Sequence, residues 1–298
     1  MNKKPNIPRR TALKSMATAA ATLAISQSAF SHSKNDPLKS DILKGNINHS
    51  VCQWCFGSLP LETLAASAKK MGMMGIDLVG PKQWSILKKY ELESTMCNGA
   101  EISLTEGWND TKYHNTLVEN YIKHIDLVAA AGYTNLICFS GNRGDIDDET
   151  GLKNAAIGLK RIMSHAEKKG VIIQMELLNS KVDHKDYMCD KSSWGIELCK
   201  LIGSTNFKLL YDIYHMQIDE GDVIRTITDF HDYFGHYHTA GVPGRNEIDS
   251  SQELFYPAIM RAILATGFKG VVAQEFIPKN RENNGLDALE KALHICDV

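Results

Sequence analysis

An α/β fold, a single (β/α)8 TIM barrel behind a cleavable N-terminal signal segment, is predicted by three observations. Eight apolar strand-like runs alternate with eight helical patterns between residues 45 and 298, the unit count of that barrel. Four of the runs lead into a carboxylate or an imidazole, and barrel active sites lie at that end of the strands. No G-x-G-x-x-G follows any run, so the doubly wound alternative lacks its glycine fingerprint.

Taken in order, 47–53 reads as the first strand and 60–71 as an amphipathic helix with Leu61, Leu64, Ala65 and Ala68 on one face. Cys52 and Cys55 form a C-x-x-C on that strand; residues three apart on a strand point to opposite faces, so core packing is expected, not a redox or zinc pair. Residues 75–79 make the second strand, and Pro81 opens a helix carrying Trp84 and Leu87. The third strand is expected at 94–98. A longer loop with Glu101, Glu106 and Trp108 then stands where a lid would, before the helix 113–131.

Strand 134–139 and helix 149–169 form the fourth unit. Strand 171–175 reaches Glu176 and then Asn179, with Asp183 and His184 read as solvated loop residues before the helix 191–202. Strand 207–211 reaches Asp212 and His215, where the chain is expected to enter a loop, and a helix runs from about 220 to 230. Strand 235–237 reaches His238 and is followed by helix 252–265. Strand 271–274 reaches Glu275 and is followed by helix 286–295.

The chain has 298 residues, 43% hydrophobic and 23% charged, with formal net charge −2. That is enough for one large core. The balance points to no nucleic acid and to no membrane surface for the mature part. Its partner is read as a small-molecule hydroxy-carbonyl or sugar substrate, and a homo-oligomer is compatible with the sequence. Seven scattered cysteines, an odd number, do not form a disulfide framework.

The start differs. Arg9-Arg10-Thr11-Ala12-Leu13-Lys14 precedes a weakly apolar stretch and then small residues, which resembles a twin-arginine export signal over 1–30. Residues 31–44 read as a linker and 45–298 as the barrel. A periplasmic or otherwise exported protein is expected.

A lone Glu or His at a strand end is as well explained by solvation or by a structural hydrogen bond. Recurrence at the same point of strands five to eight is the stronger signal. Glu176, Asp212, His238 and Glu275 would together hold one divalent ion; carboxylate and imidazole suit Mn, Mg or Co, with Zn next, over thiolate-loving metals. Such an ion polarises a carbonyl and stabilises an enediolate, and flanking carboxylates can move a proton. Hydrolytic or lyase chemistry fits the bare set too. Arg245 adds a planar fork that can take a carboxylate in two hydrogen bonds.

Glu176-Leu-Leu-Asn179, Tyr211-Asp-Ile-Tyr-His-Met-Gln217, Gly235-His-x-His238, Pro243-Gly-Arg245-Asn-Glu247 and Gln274-Glu275-Phe-x-Pro278 resemble the hydroxypyruvate isomerase branch of the xylose-isomerase-like barrels. Ser50-Val-Cys-Gln-Trp-Cys-Phe56 and Met96-Cys-Asn-Gly99 are also similar, and the resemblance spans 46–298. It implies an isomerase of hydroxypyruvate and 2-hydroxy-3-oxopropanoate. Glu176 and Glu275 would be metal ligands and also the acid/base pair, Asp212 and His238 would complete the metal shell, and His215 and Arg245 would contact substrate oxygens.

Two departures bear on substrate. Position 238 is His, as in ketose 3-epimerases of the same superfamily, where hydroxypyruvate isomerases often carry Gln. The export signal is the other. An exported ketose epimerase or keto-sugar lyase using the same site is therefore the alternative. A non-catalytic carbohydrate-binding barrel is a third reading, against which the paired Glu176 and Glu275 argue. Export predicts that replacing Arg9 and Arg10 by Lys leaves the protein in the cytoplasm; undiminished export in cell fractionation would refute the signal.

Overall fold

A computed structural model of the chain describes residues 43–279 and 281–298. The expected signal segment and the linker up to residue 42 lie outside the described residues.

The strands are β1 (Asn48–Cys52), β2 (Gly75–Asp77), β3 (Glu93–Ser94), β4 (Asn135–Cys138), β5 (Ile172–Glu176), β6 (Phe207–Asp212), β7 (Phe234–Thr239) and β8 (Val271–Gln274). All pair in parallel in the order β3-β2-β1-β8-β7-β6-β5-β4. One residue closes the ring. The Cys97 amide donates to the Asn135 carbonyl at 2.9 Å, and the Ile137 amide donates to the Cys97 carbonyl at 3.0 Å.

Around the barrel run α1 (Leu61–Lys70), α2 (Trp84–Lys89), α3 (His114–Ala131), α4 (Asp148–Lys169), α5 (Ser192–Ile202), α6 (Ile213–Asp219), α7 (Val223–Phe230), α8 (Tyr256–Ala265) and α9 (Leu286–Cys296). Their apolar stripes bury Leu64, Ala65 and Ala68 on α1, and Leu159, Ile162 and Ala166 on α4. Asp147 caps α4 by accepting from the Thr150 amide at 2.8 Å, and Gly170 ends it at φ 70. Among the described residues, no helix is long and apolar enough to cross a membrane.

Four expectations change. The third strand is only Glu93–Ser94, and its ladder resumes at Cys97, because Leu78 sits at φ 62 and breaks the pleat of its neighbour β2. β1 stops at Cys52, and 53–56 form a 3₁₀ turn that carries Cys55, so the opposite-face argument for the C-x-x-C does not apply; both thiols are nonetheless free. Asp212 and His215 do not enter a loop: Asp212 caps α6, its Oδ1 accepting from the His215 amide at 3.2 Å. The helix expected at 252 starts at Tyr256, with Pro257 in its first turn.

The long loop after β3 is pinned at its end. Trp108 is fully buried, its ring 5.2 Å from that of Tyr121. A Cβ on Gly107 would lie 2.3 Å from the carbonyl carbon of Ser140 and from the amide nitrogen of Gly141. Backbone atoms cannot swing aside, so Gly107→Ala is expected to destabilise the barrel by roughly 1–3 kcal/mol, as overpacking does. An unchanged urea midpoint would show that the loop yields freely there.

Candidate active site

β5 to β8 deliver the four expected ligands to one place. Glu176 and Asp212 are the last residues of β5 and β6, His238 lies near the end of β7, and Glu275 follows β8. In-register pairing sets Asp212 beside His238 and His238 beside Ala273. One ligand atom from each of Glu176, Asp212, His238 and Glu275 lies within 4.8 Å of all the others, and all four residues are buried.

His238 is at the centre. Its Nδ1 stands 3.1 Å from Glu176 Oε1 and 2.9 Å from Glu275 Oε2. Its Nε2 stands 3.1 Å from Asp77 Oδ2 and 3.7 Å from Cys52 Sγ. Asp77 also accepts from His236 Nε2 at 2.6 Å, and the hydroxyls of Ser50 and Thr95 meet its other oxygen.

Arg245 balances the acids. Its Nη2 donates to Glu275 Oε2 at 2.5 Å and reaches Asp212 Oδ2 at 3.4 Å. The guanidinium lies 4.9 Å from the Trp54 ring and 5.4 Å from the Tyr214 ring, a stacked cation. Trp54 Nε1 donates to Glu275 Oε1 at 2.8 Å. Glu275 thus receives donors from Arg245 and Trp54, with His238 Nδ1 2.9 Å away.

His215 is fully buried, with Nε2 3.6 Å from Asp212 Oδ2. Its tautomer follows from Asn179. The Asn179 Oδ1 accepts from the amides of Val182 and Asp183, each at 3.0 Å, so its NH2 faces His215 Nδ1 at 2.6 Å and Asp183 Oδ2 at 2.6 Å. His215 Nδ1 therefore accepts and Nε2 carries the proton. Among the described residues that Nε2 has no hydrogen-bond partner.

A cavity of about 350 Å³ opens beside these groups, lined by Glu176, Glu275 and Arg245 together with Trp54, Leu104 and Phe139. His184 lines it as well, and Asp183 receives the Tyr214 hydroxyl at 2.9 Å. His184 is thus not the solvated loop residue expected, whereas Asp183 is exposed, as expected. Phe56 packs on Phe276, at 6.0 Å between centroids. Asp77, His236 and Cys52 escaped sequence reading as site neighbours; an apolar strand carrying a buried Asp was the available signal.

The electrostatics separate the acids. Burial pushes Glu176 up, with the Glu275 charge adding to it against the His238 hydrogen bond. Burial, then Glu275, pushes Asp212 well above the usual range. Burial would raise Glu275 too, but Arg245 and His238 outweigh it and hold it well below. Burial likewise opposes ionisation of Asp77, and His236 and His238 reverse that strongly. Burial, reinforced by Arg245, keeps His215 neutral.

A divalent ion fits this donor set. The side-chain oxygens are hard, the imidazole is intermediate, and Glu176, Asp212 and Glu275 crowd acidic oxygens that one arginine only partly offsets. With Nε2 facing the acceptor Asp77, a neutral His238 turns the lone pair of Nδ1 toward Glu176 and Glu275, an arrangement a cation between them would satisfy.

The raised Glu176 has a consequence in the metal-free protein. An acid whose folded pKa is raised binds its proton more tightly when folded, so it costs stability as pH rises above the ordinary carboxylate range. Glu176→Gln removes that cost. The melting temperature of the variant relative to wild type should therefore be higher at about pH 8 than at about pH 4.5. A difference independent of pH would show that Glu176 titrates normally.

The model of one family, the Xylose isomerase-like TIM barrel, matches residues 66–295. A 2-oxo-tetronate isomerase of Cupriavidus necator is 34% identical over 128 residues, 43% of this chain and 48% of that protein. A hydroxypyruvate isomerase of Escherichia coli is 29% identical over 119 residues, 40% of this chain and 45% of that protein. The chain spans about half the length of the curated relatives it matches. Among solved structures, the apo form of 3-keto-D-glucoside 4-epimerase from Escherichia coli has a TM-score of 0.69 at 18% identity, covering 84% of this chain and all of that one, a likeness of fold. The ring of eight parallel strands and the match over 66–295 agree, and the chain belongs to the xylose isomerase-like TIM barrel family.

Proposed function

We propose that the chain is an isomerase that moves a proton between adjacent carbons of a small hydroxy-carbonyl compound through an enediolate, with hydroxypyruvate and 2-hydroxy-3-oxopropanoate the leading pair. The observation that carries this reading is the placement of Glu176 and Glu275 on either side of His238 Nδ1, at 3.1 and 2.9 Å, at the floor of a cavity they also line. Binding alone needs no such pair. The names of the relatives, a hydroxypyruvate isomerase and a 2-oxo-tetronate isomerase, support the same chemistry.

Glu176, Asp212, His238 and Glu275 would hold one divalent ion, Mn, Mg or Co before Zn. When bound, such an ion supplies polarisation of carbonyl and hydroxyl oxygens. The protein's own groups do the rest. Arg245 sits on Glu275 at 2.5 Å, and a substrate carboxylate would compete for its fork, releasing Glu275 to take a proton from the hydroxymethyl carbon. Glu176, shifted toward its protonated form, returns one to the neighbouring carbon. His215 offers its Nε2 proton to a developing oxyanion. Trp54, Leu104 and Phe139 give the cavity an apolar wall.

A sugar substrate is the second reading. A cavity of about 350 Å³ gives more room than a three-carbon acid fills, and the fold matches that of a 3-keto-D-glucoside 4-epimerase. Export through the twin-arginine route would suit such a substrate. Metal-loaded protein in deuterated water, followed by NMR with hydroxypyruvate and separately with ketohexoses and 3-keto-glycosides, separates the readings. Deuterium entering hydroxypyruvate beside the carbonyl supports the first, exchange only in a sugar supports the second, and exchange in none would leave a binding protein. Glu275→Gln should lower turnover by roughly 10²–10⁴-fold with the fold intact; retained activity would sink its assignment as base.

A further inference from the structure

We infer that Asp77, on the opposite side of the barrel from the ligand strands, is a positioning residue: it locks His238 with its proton on Nε2 so that Nδ1 is presented to the ion. The inference rests on the metal reading above and assigns a role to a residue outside the ligand set.

The geometry leaves one arrangement. Asp77 ends β2, fully buried in the barrel interior. As a carboxylate it can only accept, and each of its neighbours donates to it. His236 Nε2 at 2.6 Å and His238 Nε2 at 3.1 Å meet Oδ2, while Ser50 and Thr95 hydroxyls meet Oδ1. With an ion on Nδ1, the proton of His238 therefore stays on Nε2. The other nitrogen, Nδ1, then turns its lone pair into the space between Glu176 and Glu275.

Without Asp77 the ring loses its anchor. Cys52 Sγ, 3.7 Å from Nε2, is a weaker partner, and the acceptors left would be Glu176 and Glu275 on the Nδ1 side, which draw the proton onto the nitrogen the ion needs. Carboxylates placed behind a ligating imidazole in this way typically strengthen metal binding 10–100-fold. His236 serves as an internal control, because it makes the shorter bond to Asp77 and, although its ring packs 5.4 Å from that of His238, it supplies none of the four ligand atoms.

The test uses the full chain labelled with 15N-histidine, with His238 assigned from a His238→Gln variant. Two-bond 15N–1H correlation distinguishes protonated, bare and metal-bound nitrogens. In metal-free wild type, His238 should show Nε2–H; after Zn2+ is added, Nδ1 should be the metal-bound nitrogen with Nε2–H unchanged. Chelator competition should give Zn2+ binding weakened about 10–100-fold in Asp77→Ala. Asp77→Asn, which keeps an accepting oxygen, should fall between that variant and wild type. His236→Leu should stay within about threefold of wild type, well short of the ligand-anchor effect.

Zn2+ bound through Nε2, or a bare Nε2 in the metal-free protein, would overturn the role of Asp77 while leaving metal binding standing. Equal weakening in His236→Leu would also overturn it, by making the effect one of packing. Failure of wild type to bind Zn2+ at all would overturn the metal reading and this inference with it. The wild-type spectra decide the tautomer even if Asp77→Ala does not fold.

Discussion

Glu176, Asp212 and Glu275 place carboxyl oxygens within 4.8 Å of one another in a buried site, and like charges about 4 Å apart repel on the order of 4 kcal/mol per pair at an effective dielectric near 20. Much of the surrounding structure answers that repulsion. Arg245 is drawn over Glu275 and Asp212 and is held there between the rings of Trp54 and Tyr214. Trp54 gives Glu275 one more donor. Asp212 spends its second oxygen capping α6. The backbone serves the same end, for Arg245 adopts φ 57, a left-handed conformation that few side chains accept without compensation.

The barrel and the clustering of Glu176, Asp212, His238 and Glu275 were legible because both repeat. An apolar run followed by a helix, met eight times, leaves little room for another α/β arrangement, and Glu176, Asp212, His238 and Glu275 could each be counted from the end of a strand. Arg245 was legible for a different reason. Its fork suits carboxylates wherever they come from, although the partners it holds in this structure are Asp212 and Glu275.

What the sequence hid depends on backbone conformations that its patterns do not encode. The positive φ of Leu78 shortens the third strand and leaves Cys97 to close the ring. The turn after β1 brings Trp54 onto Glu275, where a continued strand would have carried it elsewhere. Asp77 read as an ordinary strand residue, since its partners lie 159 and 161 positions away at His236 and His238. His184 looked solvated because polarity in a loop carries no record of what lies beside it; it lines the cavity here, whereas Asp183 is exposed as read.

The two halves of the barrel divide the labour. The residues that would hold the ion, move the proton and grip a carboxylate come from β5 onward, whereas Trp54, Leu78, Leu104 and Phe139 form the facing wall from the first half. The bonds that tie one duty to the other include those of Asp77 to His238 and of Trp54 to Glu275. Substitutions in the early loops, Trp54 apart, can thus recut the mould for the substrate while the reactive centre stays in register. Descendants of such a chain can change diet without relearning chemistry, so long as the second strand keeps its acid.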